Sequence, residues 1–188
     1  MDTSLEGIIA PLLRTRSLKL AIAESCTGGL VGHRITNVPG SSEYFLGGIV
    51  AYDNQVKMDL LGIPAGLLAQ YGAVSEETVR AMAEGVRALL RVDVAISLSG
   101  VAGPSGGSPE KPVGTAWIGL AAPEGTWARH FLFSGDREQN KASAAESALQ
   151  FLLDYLNGKG NLDGDFHVTP VDSSKTLLGE IIRKIRSL

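Results

Sequence analysis

The chain has 188 residues, 44% hydrophobic and 20% charged, which suits one globular domain that folds without metal or disulfide staples. A net charge of −3, with basic residues clustered only near the C-terminus, argues against nucleic acid as the main partner, because phosphate contacts need a concentrated positive face. A single cysteine, Cys26, excludes an internal disulfide and the usual zinc site.

No apolar run approaches the roughly 20 residues of a membrane span. Residues 1–6 lack the basic and apolar regions of a signal peptide, so a cytoplasmic protein is expected. Leu5, Ile8, Ile9, Leu12 and Leu13 recur at helical spacing, with Thr3 or Ser4 placed to cap them. Pro11 sits inside that stripe, and a bend is expected there. Lys19–Ala23 reads as a short buried strand. It turns polar over Glu24–Thr27 and releases through Gly28-Gly29 into a helix to about Thr36. Such a turn exposes a hydroxyl and aims helix-start N–H groups at one point. Its plain alternative is a capped helix start with no chemistry.

Asn37–Ser42 is a loop by composition. Tyr44–Tyr52 is aromatic and β-branched and reads as a strand, with a bulge or close backbone approach at Gly47-Gly48. Asp53 or Asn54 caps a short helix through Lys57 and Leu61, ended by Gly62-Ile63-Pro64. After a short connecting segment, Ser75 starts a helix with acidic residues in its first turn. Val79, Met82, Ala83, Val86, Leu89 and Leu90 lie along one side of it. Val92–Leu98 is an apolar strand that runs into the glycine-rich loop Ser99–Ser108. Thr115–Ala121 and Trp127–Phe133 form a hairpin around Pro123-Glu124-Gly125. Gly135–Gln139 opens a long helix with the stripe Ala142, Ala145, Leu149, Leu152, Leu153 and Leu156, closed at Asn157-Gly158. Lys159–Asp165 resembles a linker, and Ser173–Leu188 is an amphipathic helix whose apolar face packs on its own domain, a partner subunit or a membrane surface.

Alternating strands and helices with one hairpin predict an α/β fold, a three-layer α/β/α sandwich with a mixed sheet. In such a sheet the loops at Glu24–Gly29, Tyr52–Lys57 and Ser99–Gly107 are expected to converge. They would bring together the Ser25 hydroxyl, the Lys57 amine, the Tyr52 phenol and a glycine loop able to wrap a phosphate. Arg137, at a helix start, would add a phosphate clamp. Each residue has a plainer reading: Ser25 as a cap, Lys57 as a surface residue, Tyr52 as the edge of a core. Cys26 is the rival nucleophile, though a lone cysteine is more often a small buried apolar residue. His33, His130 and His167 are far apart and beside no carboxylate motif, so a Ser-His-Asp triad is unsupported. No metal-ligand spacing exists, and no bound metal or cofactor is expected.

The ordered motifs A-E-S-C-T-G-G, N-V-P-G-S-S, F-L-G-G-I-V-A-Y-D-N-Q-V-K, G-A-V-S-E-E-T and S-G-V-A-G-P-S-G-G-S-P-E-K-P-V-G-T resemble the CinA C-terminal domain family, the nicotinamide-nucleotide amidases. The resemblance covers roughly Leu5–Leu156. It implies a metal-free serine amidohydrolase that converts nicotinamide mononucleotide to nicotinate mononucleotide and ammonia. It implies Ser25 as nucleophile with Tyr52 and Lys57 as catalytic partners. It further implies substrate contacts from Cys26, Thr27, Gly28, Ser99, Gly100, Gly103, Gly106 and Arg137, and a homodimer. Residues 1–158 would be the amidase domain; residues 159–188 would be a linker and helix with no family role. A catalytically silent nucleotide-binding or competence/damage-associated scaffold is the competing expectation.

Overall fold

The computed structural model describes residues 3–158 and 162–166. The helix expected over Ser173–Leu188 lies outside them, as does His167.

Helix α1 (Leu5–Thr15) starts where Ser4 Oγ accepts the Gly7 N–H, and it runs uninterrupted through Pro11. Strand β1 (Leu20–Glu24) is followed by α2 (Leu30–Thr36), then β2 (Phe45–Val50) and α3 (Asn54–Leu61), capped by the Asp53 side chain. A helix not anticipated from the sequence, α4 (Ala65–Tyr71), fills the segment expected to connect. It is about two turns long, begins at a proline without a side-chain cap and contains a glycine, so its pattern is faint. Helix α5 (Glu76–Leu90) is capped by Ser75, and β3 (Val94–Gly100) extends past the expected strand end, making Ser99 and Gly100 strand residues. The hairpin β4 (Thr115–Ala122) and β5 (Gly125–Leu132) leads to α6 (Arg137–Leu156), whose Asp136 and Gln139 form a reciprocal capping box.

The sheet order is β2-β1-β3-β4-β5-β6, with β1 parallel to β2 and β3, and β4 antiparallel to its neighbours. The last strand, β6 (Gly164–Phe166), pairs parallel to β5. This corrects the expected linker character of residues 162–165. Leu162 joins the main core, and the Asp163 carboxylate accepts the Ala128 N–H and pairs with Arg80. The register shift between Leu20 and Ala21 leaves Leu46 as the extra residue, just before the expected Gly47-Gly48; the close approach is at Gly48, where a Cβ would stand 2.5 Å from Ile22.

Period-two alternation splits the sheet into two unequal faces. Leu20, Ile22, Val94, Ile96, Leu98, Ile118 and Leu120 pack against α1, α2 and α6. Ala21, Ala23 and Ala95 face α3 and α5 with Leu61, Met82 and Val86. The small side chains on this second face let α5 lie close to the strands. The Ser97 hydroxyl donates to the Val79 carbonyl at 2.5 Å. Helices on both faces make the expected three-layer α/β/α sandwich with a mixed sheet. Chain order reverses between β1 and β3: β1 leads through α2 to β2 on one side, and β3 leads through the glycine loop to β4 on the other; such a point is where open α/β sheets form ligand crevices.

At Gly119 of β4 an added Cβ would meet the Val79 carbonyl oxygen at 2.5 Å and Ser97 Oγ at 2.6 Å. Gly119→Ala is expected to lose about 1–3 kcal/mol by pushing α5 off the sheet. Gly66→Ala, in α4 with nothing within 4 Å of the new Cβ, is expected to gain about 0.5–1 kcal/mol. Urea unfolding of both variants measures this, and equal midpoints would contradict the close-packed face.

Candidate active site

Strand β1 ends in a carboxylate with no water around it. Glu24 is 1% exposed. Its Oε2 accepts the Thr27 hydroxyl at 2.6 Å and the Gly29 and Val31 N–H groups at 3.0 and 3.2 Å, while Oε1 accepts the Gly32 N–H at 2.9 Å. The sequence suggests free N–H groups at this helix start, aimed at a ligand. That reading is corrected here, because the chain's own carboxylate occupies the start of α2, where negative charge is favoured. The Gly28 N–H closes the turn onto the Ser25 carbonyl at 3.1 Å. Thr27 and Gly28, two of the implied substrate contacts, therefore shape the turn, and neither lines the adjacent cavity.

The turn presents Ser25. Its N–H continues the β1–β3 pairing onto the Leu98 carbonyl at 3.0 Å, and its side chain is almost fully covered. Lys57, on the first turns of α3, reaches it from the other side. Although charged residues are seldom buried, Lys57 is 1% exposed. Its Nζ lies 2.8 Å from the Ala51 carbonyl, 3.1 Å from the Tyr52 carbonyl and 3.3 Å from Ser25 Oγ. Burial pushes the Lys57 amine below the ordinary lysine value, against the opposing pull of Asp53 and Cys26. A neutral amine has two N–H groups for the two carbonyls, which leaves its lone pair for the serine hydroxyl. Serine and lysine stand 32 residues apart, and only the fold brings them together.

Ser25 and Lys57 open into a cavity of ≈ 260 Å³ whose lining also includes Tyr52, Ala73, Val74, Ser99, the Gly100–Gly103 stretch and Arg137. Cys26, Ser105 and Gly106 line it too. The three loops expected to converge do so here. The Tyr52 phenol is exposed and accepts from Arg137 Nη2 at 3.0 Å, while Arg137 Nη1 donates to the Gly103 carbonyl at 2.7 Å. Tyr52 thus meets Lys57 through its backbone carbonyl and Arg137 through its side chain. Arg137 is the permanent cation of the lining, the Lys57 amine its other basic group, and no carboxylate is among it, so the cavity favours anions.

Burial comes first among the causes that push the Cys26 thiol up to about 11, leaving it protonated and inert at neutral pH. His33 contacts Asn37, and His130 packs on Trp117 with ring centroids 4.8 Å apart; neither lines the cavity. No group of three or more metal-ligating side chains comes together among the described residues. Nor is any helix there long and apolar enough to cross a membrane.

Two positioning groups escaped the sequence reading. Glu24 carried a signal, an acidic residue just ahead of a helix start. Asn140 did not: buried in α6, its Nδ2 donates to the Ala102 and Gly135 carbonyls at 3.1 and 2.9 Å and ties the glycine loop to the segment before Arg137. Glu24→Ala strips four donors of their acceptor and is expected to cost about 3 kcal/mol, the upper range for buried donors left unpaired. Glu24→Gln, keeping one acceptor oxygen, should fall between the two in denaturant midpoint. A Glu24→Ala midpoint equal to the parent would refute the cap.

The chain as a whole is similar to known proteins. The family model for the CinA C-terminal domain matches residues 2–156. A putative competence-damage inducible protein of Moorella thermoacetica is 49% identical over 80% of this chain and 36% of its own length. A CinA-like protein of Thermotoga maritima is 46% identical over 84% of this chain and 38% of its own. The chain therefore spans less than two-fifths of the curated relatives it matches. Among solved structures, a CinA superfamily protein from Escherichia coli superposes with a TM-score of 0.78 at 32% identity, covering 80% of this chain and 88% of that one. A competence/damage inducible protein from Agrobacterium tumefaciens gives a TM-score of 0.77 at 33% identity, covering 84% and 99%. With its fold, motifs and relatives in agreement, the chain belongs to the CinA C-terminal domain family.

Proposed function

We propose that this domain is a serine amidohydrolase, with nicotinamide mononucleotide as its substrate. The observation that carries the reading is the buried Lys57 amine, held by two backbone carbonyls with its third direction on Ser25 Oγ. A hydroxyl is a weak nucleophile until a base takes its proton, and a desolvated lysine with a lowered pKa is such a base. Ser25 Oγ attacks the carboxamide carbon as its proton moves to Lys57 Nζ. The oxyanion is met by the backbone at Cys26, the residue of the turn beside Ser25 that lines the cavity. Lys57 returns the proton to the departing nitrogen, which leaves as ammonia. Water, giving a proton to Lys57, then attacks the Ser25 ester, and Lys57 passes that proton to Ser25 Oγ as the acid leaves. Arg137 and the glycine loop would hold the phosphate, and the cationic lining with no carboxylate supports an anionic substrate.

Ammonia release from nicotinamide mononucleotide, followed with a chelator present, tests this. Ser25→Ala and Lys57→Met are each expected to lower kcat by at least about 10³-fold, as removing a nucleophile or its base does. Undiminished turnover by Ser25→Ala would overturn the assignment. Ligand binding without ammonia release would favour the scaffold reading, which the competence-damage names of the relatives suggest.

The pH dependence has a definite sign. The rate should rise with pH through the lowered Lys57 value, because the neutral amine is the base. Stability should rise as well between that value and the ordinary lysine value, since the unfolded chain there binds the proton that the folded chain has released. Both slopes should vanish in Lys57→Met; a pH slope of stability that survives the substitution would assign it to another group.

A further inference from the structure

The cavity wall beside the glycine loop is built in an unusual way. The segment Tyr71–Val74, between α4 and α5, has no strand or helix partner for its carbonyls, yet three in a row are taken by side chains. The Tyr71 carbonyl accepts from Lys111 Nζ at 2.8 Å. The Gly72 carbonyl accepts from the Thr78 and Ser75 hydroxyls at 2.7 and 3.2 Å. The Ala73 carbonyl accepts from the Ser99 hydroxyl at 2.7 Å. Ser99 is the last residue but one of β3, just before the glycine loop, and Lys111 lies beyond the loop's far side. The loop is therefore fastened to the same short segment at both ends. What the segment presents to the cavity is Ala73 and Val74, apolar surface in a space whose Ser25–Lys57 end is polar.

The Ser99 hydroxyl has one proton to donate. With that proton on the Ala73 carbonyl and the residue 2% exposed, only acceptor capacity remains. A phosphate presents acceptors as well, so the two have nothing to exchange while the Ala73 bond stands. We propose that Ala73 and Val74 form the wall against which the ring of the amide substrate packs, and that Ser99 and Lys111 are positioning residues that set the depth of this wall. Ser99 acts on the substrate only through it. This rests on the amidase reading above and gives Ser99 a different task from the substrate contact that the family resemblance implies.

The experiment compares the full 188-residue chain with Ser99→Ala, Ser99→Thr and Val74→Ala. Ammonia release is followed from nicotinamide mononucleotide and from the nucleoside lacking its phosphate, and amide hydrogen exchange is followed over residues 72–75. In Ser99→Ala, KM is expected to rise by the same factor for both amides, about tenfold, the size of one net hydrogen bond. Ser99→Thr should restore it, and Val74→Ala should reproduce it without loosening the 72–75 amides. A KM that rises for the phosphorylated amide alone would make Ser99 a phosphate ligand and overturn the proposal. If the parent chain releases ammonia from neither amide, the amidase reading fails by itself and exchange decides the clamp. Faster exchange at 72–75 in Ser99→Ala, reversed in Ser99→Thr, supports it; unchanged exchange overturns it.

Discussion

Everything at the mouth of this sheet depends on one buried carboxylate holding four donors. Glu24 is the last residue of β1, and the helix that follows has no side-chain cap of its own at Gly29. By taking a hydroxyl and three backbone N–H groups, it fixes where α2 begins and so how the residues between can turn. The Ser25 hydroxyl then points away from the helix start and toward α3. An anion supplied by the chain leaves nothing at that helix end for a ligand. The positive charge that a ligand would meet comes instead from Arg137 on α6, across the cavity lining from the Lys57 amine on α3.

The unequal faces of the sheet explain how those elements reach one point. Alanine and serine on the α5 side of β1 and β3 bring the helix layer close, and α3 packs on α5 in the same layer. A layer seated that near places Lys57 under the end of β1, where water is excluded and the amine loses its preference for charge. On the opposite side, bulky Ile and Leu residues hold α1, α2 and α6 further out. Arg137 comes from that layer and approaches over the rim.

Much of this was legible in the chain. Short apolar and β-branched runs marked five strands, and Ser4, Asp53 and Ser75, the first two each offered beside a neighbour, marked three helix starts because small oxygen-bearing side chains fit the cap position. The hairpin was marked by Pro123 and Glu124 between two β-rich runs. Less legible were features that need a third dimension. Helix α4 is too short to show a period, and β6 is a three-residue edge recruited by Leu162 and Asp163. The Ser25–Lys57 contact spans 32 residues and could be weighed beforehand only as a convergence of loops or through family resemblance. The Ser99 hydroxyl looked like a ligand contact because a sequence cannot say that a carbonyl 26 residues away already holds its proton. Ala73 and Val74 are ordinary small apolar residues until the wall they form is seen.

The capping box at Asp136 has a dynamic consequence for the cavity rim. Arg137 is the first residue of a helix about 30 Å long, most of whose inward face lies in the main core. With its start locked by Asp136 and Gln139, this end of the helix has little freedom to fray, and the backbone under Arg137 opens only with the domain as a whole. What remains free is the pair of side chains bridging the mouth, since both Arg137 and Tyr52 are exposed. Their rotation takes picoseconds to nanoseconds, whereas swinging a chain segment takes microseconds or more. Entry to this cavity is thus a matter of two side chains turning aside on a rigid rim.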